Sequence, residues 1–250
     1  MRGKHEVAQL YEGVVRIILL MGAPGSGKGT QSTLLESQFG FQCISTGTML
    51  RQEARQDTPA GFRLRQIMAS GELVDDVTVC SAVASQLGTL AVKSNRTNVN
   101  LILDGFPRTE DQAICLDRIL GEMRIPAPLV LHLDVPQDVL LRRLARRRQC
   151  AVCGAIYSLV SGATSGGLSA GGTRCMIDGG ALVERDDDSE GVVEKRLVAY
   201  STSTLPVLDY YRKRACSSGT YRRLDGNRSA AEIAKEVCDI VLFADTAVAA

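Results

Sequence analysis

A glycine-rich stretch at residues 22–30 carries the clearest chemical signal in the sequence. It reads Gly-Ala-Pro-Gly-Ser-Gly-Lys-Gly-Thr, and an apolar run at 14–21 precedes it while a helix-compatible run at 31–38 follows. Glycines let the backbone turn so that successive N–H groups point at a phosphate, and the helix adds its positive end. Lys28 brings a charge that can reach the outer phosphates. The stretch predicts a phosphate-binding loop, in which Gly29 takes the usual hydroxyl position and Thr30 follows it. The loop alone does not choose among kinases, GTPases, motors and transport ATPases.

A second group of residues has the spacing of a metal site. Cys150 and Cys153 are separated by two residues, and Cys175 and Asp178 repeat this spacing after 21 intervening residues. Two such pairs can deliver four ligands tetrahedrally to a structural Zn²⁺, although the linker is slightly longer than usual. Unliganded thiols or a redox-active Cys150–Cys153 pair are the alternatives. The remaining cysteines are interpreted as small core or surface residues: 43, 80, 115, 216 and 238.

Size and composition limit the possible classes. A chain of 250 residues that is 45% hydrophobic suits one α/β domain with a substantial core. A net charge of +1 and only 4% aromatic residues argue against general binding to nucleic acid or to membrane surfaces. No apolar run reaches the ~20 residues that span a bilayer, and Glu6 and Glu12 argue against a secretory signal. We therefore expect a cytoplasmic protein with reduced thiols.

The elements that must position these residues alternate along the chain. Besides the run before the loop, strand patterns lie at 41–44, 100–104, 129–133 and 220–224. Helical patterns lie at 31–38, 48–55, 60–69, 75–90, 109–122, 137–148, 189–214 (bent near Pro206) and 230–243. This order predicts an α/β fold with a five-stranded parallel sheet and helices on both faces. The composition changes at 150–184, where a Gly/Ser/Ala-rich centre at 161–172 indicates a flexible inserted subdomain.

Four stretches together resemble the adenylate kinase family of P-loop nucleoside monophosphate (NMP) kinases, over about 16–243. They are 22–31, 44–51 (Ile-Ser-Thr-Gly-Thr-Met-Leu-Arg), 103–109 (Leu-Asp-Gly-Phe-Pro-Arg-Thr) and 184–188 (Glu-Arg-Asp-Asp-Asp). The resemblance implies an N-terminal extension at 1–15 and a kinase domain at 16–250, with a helical NMP-binding segment at about 45–74 and a LID at about 148–186. It also implies a monomer that transfers a phosphoryl group reversibly from ATP to AMP with Mg²⁺, giving two ADP and maintaining adenine nucleotide balance.

The resemblance assigns roles to individual residues. For ATP it implies Gly25, Ser26, Gly27, Lys28, Gly29, Thr30, Arg143, Arg147, Ile156, Tyr157 and Arg228. For AMP it implies Thr46, Arg51, Glu72, Val74, Gly105, Arg108, Gln112, Arg185 and Arg196. The implied catalytic set is Lys28, Asp104, Arg108, Arg147, Arg185 and Arg196, with Asp104 holding Mg²⁺ through water. Cys150, Cys153, Cys175 and Asp178 match the zinc site of a long-LID form. Thr48 departs from the usual Asp of the family, which predicts a weaker or altered Mg²⁺ dependence.

Other functions are compatible with parts of the sequence. A UMP/CMP-type kinase usually has Ser-Ala-Gly in place of Ser45-Thr46-Gly47 and a short LID without cysteines, and a GTP-using form usually lacks the metal cysteines. A P-loop ATPase with a zinc-ribbon module for nucleic acid draws its support from the arginines at 142–148. A scaffold that binds nucleotide without turnover is disfavoured by the complete set of Lys28 and arginines. We expect ATP and AMP as the partners, with no nucleic acid and no membrane.

Overall fold

The computed structural model describes residues 15–93, 99–159, 174–215 and 220–246. The strands are β1 (Val15–Met21), β2 (Gln42–Ser45), β3 (Val99–Asp104), β4 (Leu129–Asp134), β5 (Arg147–Cys150), β6 (Ile156–Ser158), β7 (Leu182–Val183) and β8 (Tyr221–Asp225). The helices are α1 (Lys28–Phe39), α2 (Thr46–Ala54), α3 (Pro59–Ser70), α4 (Asp76–Lys93), α5 (Glu110–Glu122), α6 (Gln137–Ala145), α7 (Glu190–Ala199), α8 (Leu205–Ala215) and α9 (Ala230–Thr246). A 3₁₀ turn at Asp186–Asp188 precedes α7, and a π turn at Tyr200–Thr204 joins α7 to α8.

The main sheet is parallel and has five strands among the described residues, in the order β2-β3-β1-β4-β8. Successive residues of a strand point to opposite faces. Ile17 and Leu19 of β1 accordingly belong to one apolar core with α4, α5 and α8, whereas Ile18 and Leu20 belong to a second core with α1 and α9. Burial on both faces explains the continuous apolar runs of these strands. The predicted fold class is confirmed.

One predicted helix is shorter in the structure, and another is divided in two. The helix expected at 137–148 ends at Ala145, because Arg147 and Gln149 pair with β6 and β7 in a small antiparallel sheet of order β6-β5-β7. Strand pairing thus overrides the helical propensity of the arginines. The helix expected at 189–214 is interrupted before Pro206 by the π turn. Proline lacks an N–H and crowds the carbonyl four residues earlier, and a wider turn relieves that conflict.

The small sheet occupies the segment whose composition changes, between α6 and α7. Two hydrogen-bonded turns, one after β5 and one before β7, carry the cysteines discussed below. Three expected features lie outside the described residues: positions 1–14 of the extension expected at 1–15, the Gly/Ser/Ala-rich centre at 161–172, and Cys216. Of the other cysteines outside the cluster, Cys43, Cys80 and Cys115 are half-buried and Cys238 is buried. Among the described helices, none has the length and apolar character needed to cross a membrane.

Candidate active site

The phosphate-binding loop lies between β1 and α1. Gly22 has φ of 150°, and a Cβ there would come within 2.7 Å of the Leu133 carbonyl oxygen, so the close approach to β4 requires glycine. Helix α1 begins at Lys28, three residues earlier than its pattern indicated, so Lys28, Gly29 and Thr30 form its first turn. The first-turn N–H groups of a helix have no partner inside it, and together with the helix dipole they favour an anion at this position.

Lys28 lies at the centre of the cleft. Its Nζ donates hydrogen bonds to the carbonyl oxygens of Gly22 (2.7 Å) and Ala23 (3.0 Å). Desolvation lowers the pKa of Lys28 to about 8; Asp104 opposes this shift, while Arg108 and other arginines reinforce it. Lys28 therefore still carries its charge near neutral pH, within a strongly cationic environment.

The end of β3 positions Arg108 against the floor of the cleft. Its Nε donates to the Gly105 carbonyl oxygen at 2.8 Å, and its backbone N–H donates to Gln112 Oε1 at 2.8 Å. Thr204 Oγ1, in the π turn, donates to the Arg108 carbonyl oxygen at 3.0 Å. Gln112 is in turn held by Asp76, whose Oδ1 accepts from Nε2 at 2.7 Å. Burial and nearby cations lower the pKa of Arg108.

Two aspartates hold three arginines on the opposite side of the cleft. Asp188 accepts from Arg147 Nε at 2.6 Å and from Arg196 Nη1 at 2.8 Å, and its side chain is fully buried. Asp187 accepts two hydrogen bonds from Arg185, at 2.9 and 2.6 Å. These acids lie in the 3₁₀ turn before α7, so one short segment orients all three guanidinium groups.

The predicted nucleotide-binding residues share one cleft of about 740 Å³. Its lining includes Gly25, Ser26, Gly27, Lys28, Gly29, Thr30, Thr46, Arg51, Glu72, Val74, Asp104, Gly105, Arg108, Gln112, Arg143, Arg147, Ile156, Tyr157, Arg185, Arg196 and Arg228. Burial and neighbouring arginines lower the pKa of Arg51 to about 9, and burial lowers that of Arg196 to about 10, so both remain charged at pH 7. The surplus of positive charge makes the cleft suitable for phosphates.

Three of these residues direct their polar groups away from the cleft. The buried Gln112 amide is occupied by Arg108 and Asp76, so it positions Arg108 in this arrangement. The Tyr157 hydroxyl is directed to Cys175, and Arg228 pairs with Glu236 on α9.

The cysteine cluster is assembled from two similar turns. Cys150 and Cys175 each accept, through the carbonyl oxygen, from the N–H of a glycine four residues later, Gly154 or Gly179. Both glycines have positive φ, of 76° and 73°. The turns bring one ligand atom each from Cys150, Cys153, Cys175 and Asp178 within 4.8 Å of one another.

The separations within this cluster fit a tetrahedral metal. The Cys153 and Cys175 Sγ atoms are 3.6 Å apart, close to the ~3.8 Å that follows from Zn–S bonds of ~2.3 Å. Cys150 Sγ lies 3.3 Å from Asp178 Oδ1. The Gly180 N–H donates to Asp178, which lowers the pKa of this carboxyl group and favours the ionised ligand. The set could therefore hold a structural Zn²⁺.

Fold and site together are those of a P-loop phosphotransferase, with the phosphate loop and several arginines lining one cleft. The family model described as adenylate kinase matches residues 20–216. The adenylate kinase of Thermodesulfovibrio yellowstonii is 39% identical over 224 residues, covering 90% of this chain and 98% of that protein. The adenylate kinase of Bacillus subtilis is 36% identical over 225 residues, covering 90% of this chain and 97% of that protein. The chain belongs to the adenylate kinase family.

The sequence reasoning assigned no role to Asp76, Asp187 or Asp188. Asp76 lies at the start of the helical pattern at 75–90, and in the structure it holds both Gln112 and Thr109. Asp187 and Asp188 were part of the Glu-Arg-Asp-Asp-Asp stretch, and three acids beside Arg185 were the available signal. We interpret all three aspartates as residues that orient the candidate ligands of phosphate.

Proposed function

We propose that this chain catalyses the reversible Mg²⁺-dependent transfer of a phosphoryl group from ATP to AMP, giving two ADP. One observation carries the proposal. The phosphate loop, the Arg108 site at the end of β3 and the arginines beside α7 open into a single cleft. In-line transfer between two nucleotides needs both of them in one enclosure, with cations around the transferring group.

The proposed roles of the residues are those implied by the family resemblance, and their shared cleft supports them. Lys28 and the N–H groups of 25–30 bind the ATP phosphates, with Arg143, Ile156 and Arg228 toward the nucleoside. Arg51 and Arg108 bind the AMP phosphate, while Thr46, Glu72, Val74 and Gly105 form the wall on the AMP side. Arg147, Arg185 and Arg196 neutralise charge as the phosphoryl group moves. No covalent intermediate with the protein is required.

Asp104 is the proposed contact for Mg²⁺. It ends β3 near Lys28, and the Ser45 hydroxyl donates to its Oδ2 at 3.5 Å. Hard cations such as Mg²⁺ take oxygen ligands and retain several waters, so this carboxylate fits a water-mediated contact. When bound, the ion would neutralise the phosphate oxygens of ATP. Thr48, whose hydroxyl lies 3.2 Å from Ser45 Oγ, stands where a second carboxylate is usual.

Two segments are proposed to move around the cleft, the NMP-binding segment at about 45–74 and the LID at about 148–186. The support is that α2 and α3 form their own hairpin, in which Arg65 donates to the Ala54 carbonyl, and that the small sheet is separate from the main one. The proposal includes a monomeric, cytoplasmic enzyme that binds neither nucleic acid nor membrane.

A substrate panel tests the function. We expect ADP formation from ATP and AMP with Mg²⁺, and much slower transfer to UMP, CMP, GMP and dAMP or from GTP. Preference for UMP or CMP would contradict the reading of Thr46, and preference for GTP would contradict that of the donor site. ATP loss to water without transfer to any monophosphate would instead favour the ATPase class, which salt-dependent retention on a nucleic-acid column would then examine.

A further inference from the structure

Tyr157 connects the cysteine cluster to the nucleotide cleft. Its side chain is 1% exposed and packs with Cys150 and Cys175 in a small apolar core. Its hydroxyl oxygen accepts a hydrogen bond from the Met176 N–H at 2.9 Å and lies 3.0 Å from Cys175 Sγ. The hydroxyl group is therefore engaged on two sides by the turn that carries Cys175.

The available donors and acceptors decide which of the two groups, the tyrosine hydroxyl or the Cys175 sulfur, donates the hydrogen bond. A metal-bound cysteine is a thiolate and has no proton to donate. The tyrosine oxygen already accepts from Met176, and its own proton is available for the sulfur. With Cys175 ionised as a metal ligand, Tyr157 would therefore donate an O–H···S hydrogen bond to it.

The other hydrogen bonds to the cluster come from the turns themselves. Backbone N–H groups donate to Cys150 Sγ at 3.3 Å (Val152) and 3.4 Å (Cys153), and to Cys175 Sγ at 3.4 Å (Ile177). In the described part of the chain, Tyr157 is the one side chain outside the four ligands that donates to them. It also belongs to a different element, because β6 lies outside both turns.

Strand β6 also forms part of the nucleotide cleft. Ile156 and Tyr157 both line it, and Tyr157 pairs with Arg148 of β5, the neighbour of Arg147. A shift of β6 at the cleft would therefore move the hydroxyl that contacts Cys175. A change at Cys175 would likewise move a strand that borders the nucleotide.

We propose that Tyr157 is a positioning residue of the metal site and that it couples metal binding to nucleotide binding through β6. This inference rests on the metal and ATP assignments made above. Such coupling is reciprocal: the factor by which ATP strengthens zinc binding equals the factor by which zinc strengthens ATP binding.

The first test measures zinc affinity without nucleotide, by competition with a chromogenic chelator. Tyr157→Phe keeps the buried ring and removes only the hydroxyl, and we expect zinc binding about 10- to 100-fold weaker. Tyr210→Phe is the matched control, since that hydroxyl donates to Asp117 at 2.7 Å in a different region. It should bind zinc like the parent chain. Equal zinc affinity in Tyr157→Phe and the parent would overturn the positioning role.

A spectroscopic readout separates this role from a loss of packing. With Co²⁺ in place of zinc, the thiolate-to-cobalt charge-transfer band should shift in Tyr157→Phe and remain unchanged in Tyr210→Phe. In the parent, saturating ATP should tighten zinc binding about fivefold or more, and in Tyr157→Phe this factor should approach one. An unchanged factor would overturn the coupling alone. A parent chain that binds no zinc would overturn the metal assignment and this inference with it.

Discussion

Replacing Asp188 by asparagine tests whether protein carboxylates hold the arginines of the cleft in place. The side chain of Asp188 is fully buried between Arg147 and Arg196, which are each 17% exposed. Asparagine keeps the shape but presents an NH₂ group where one guanidinium group now donates. Arg147 donates to both carboxylate oxygens and Arg196 to one of them, so Arg147 loses a hydrogen bond in either orientation of the amide.

The size of the effect follows from this geometry. Breaking a buried ion pair destabilises a protein by about 3–5 kcal/mol. Arg196 keeps contacts with Asp187, including its carbonyl oxygen at 2.6 Å, and both arginines touch solvent. We therefore expect the free energy of unfolding to fall by about 2–3 kcal/mol. An arginine at a transferring phosphoryl group contributes about 10³–10⁵ in rate. Because Asp188→Asn misorients the arginines without removing them, we expect a smaller fall in kcat, about 10- to 100-fold, with little change in KM.

Urea unfolding and steady-state ADP formation measure the two effects. Asp138→Asn is the matched control, because it removes a carboxylate from an exposed pair with Arg142 at 2.7 Å on α6. Exposed pairs of this kind contribute under about 0.5 kcal/mol, and turnover should be unchanged. If Asp188→Asn has the stability and kcat of Asp138→Asn, the carboxylate does not organise the arginines and the reasoning is wrong.

Three further predictions concern pH, magnesium and zinc. His132 is buried between the Tyr221 and Tyr200 hydroxyls, and burial lowers its pKa to about 4. Its contribution to stability is therefore complete above pH ~6.5 and is lost as the pH falls toward ~4. We expect the free energy of unfolding to fall by about 2.5 kcal/mol between pH 7 and 4.5 for this reason. In urea unfolding, His132→Asn should show a weaker pH dependence than the parent, and equal pH dependence in both would contradict the prediction. Thr48→Asp should tighten the apparent Mg²⁺ affinity in the kinase assay about three- to tenfold, because it adds a carboxylate near Asp104. Thr33→Asp is the control, and an unchanged Mg²⁺ affinity in Thr48→Asp would refute the interpretation of Thr48. After zinc is removed with a chelator, calorimetry should show the small sheet unfolding in a separate transition at lower temperature, because its core is separate from the two main cores. A single transition at an unchanged temperature would exclude a structural metal.

Much of the site was predictable because its residues lie at the ends of strands. The carboxyl ends of parallel strands meet at one edge of a sheet, so a parallel sheet alone predicts that Lys28 after β1, Thr46 after β2 and Arg108 after β3 converge. In each motif, the candidate residue follows the end of its strand by only a few positions in the sequence. The same reasoning brought the two halves of the cysteine cluster together only as a hypothesis, because the linker of 21 residues leaves their relative position open.

What the sequence could not show depends on contacts between distant segments. The end of α6 at Ala145 is set by pairing of β5 with strands that follow later in the chain, and local propensity does not contain that information. The direction of the Tyr157 hydroxyl is a related case. Ile156 and Tyr157 are consecutive in a strand, so their side chains point to opposite faces. Both line the cleft, yet the Tyr157 hydroxyl is directed to the cysteine cluster.

The arginines of the cleft are held in two different ways, and the difference agrees with the roles that we propose for them. Arg147, Arg185 and Arg196 are held by carboxylates, which offset part of their charge while fixing their direction. The Arg108 guanidinium group is held by a neutral group, because its Nε donates to the Gly105 carbonyl oxygen, and within the described residues it makes no ion pair. Neutral acceptors fix a guanidinium group without neutralising it. The charge of Arg108 therefore stays available for the phosphate that we propose it binds, and we expect the acid-paired arginines to exchange a carboxylate for the phosphoryl group as it moves.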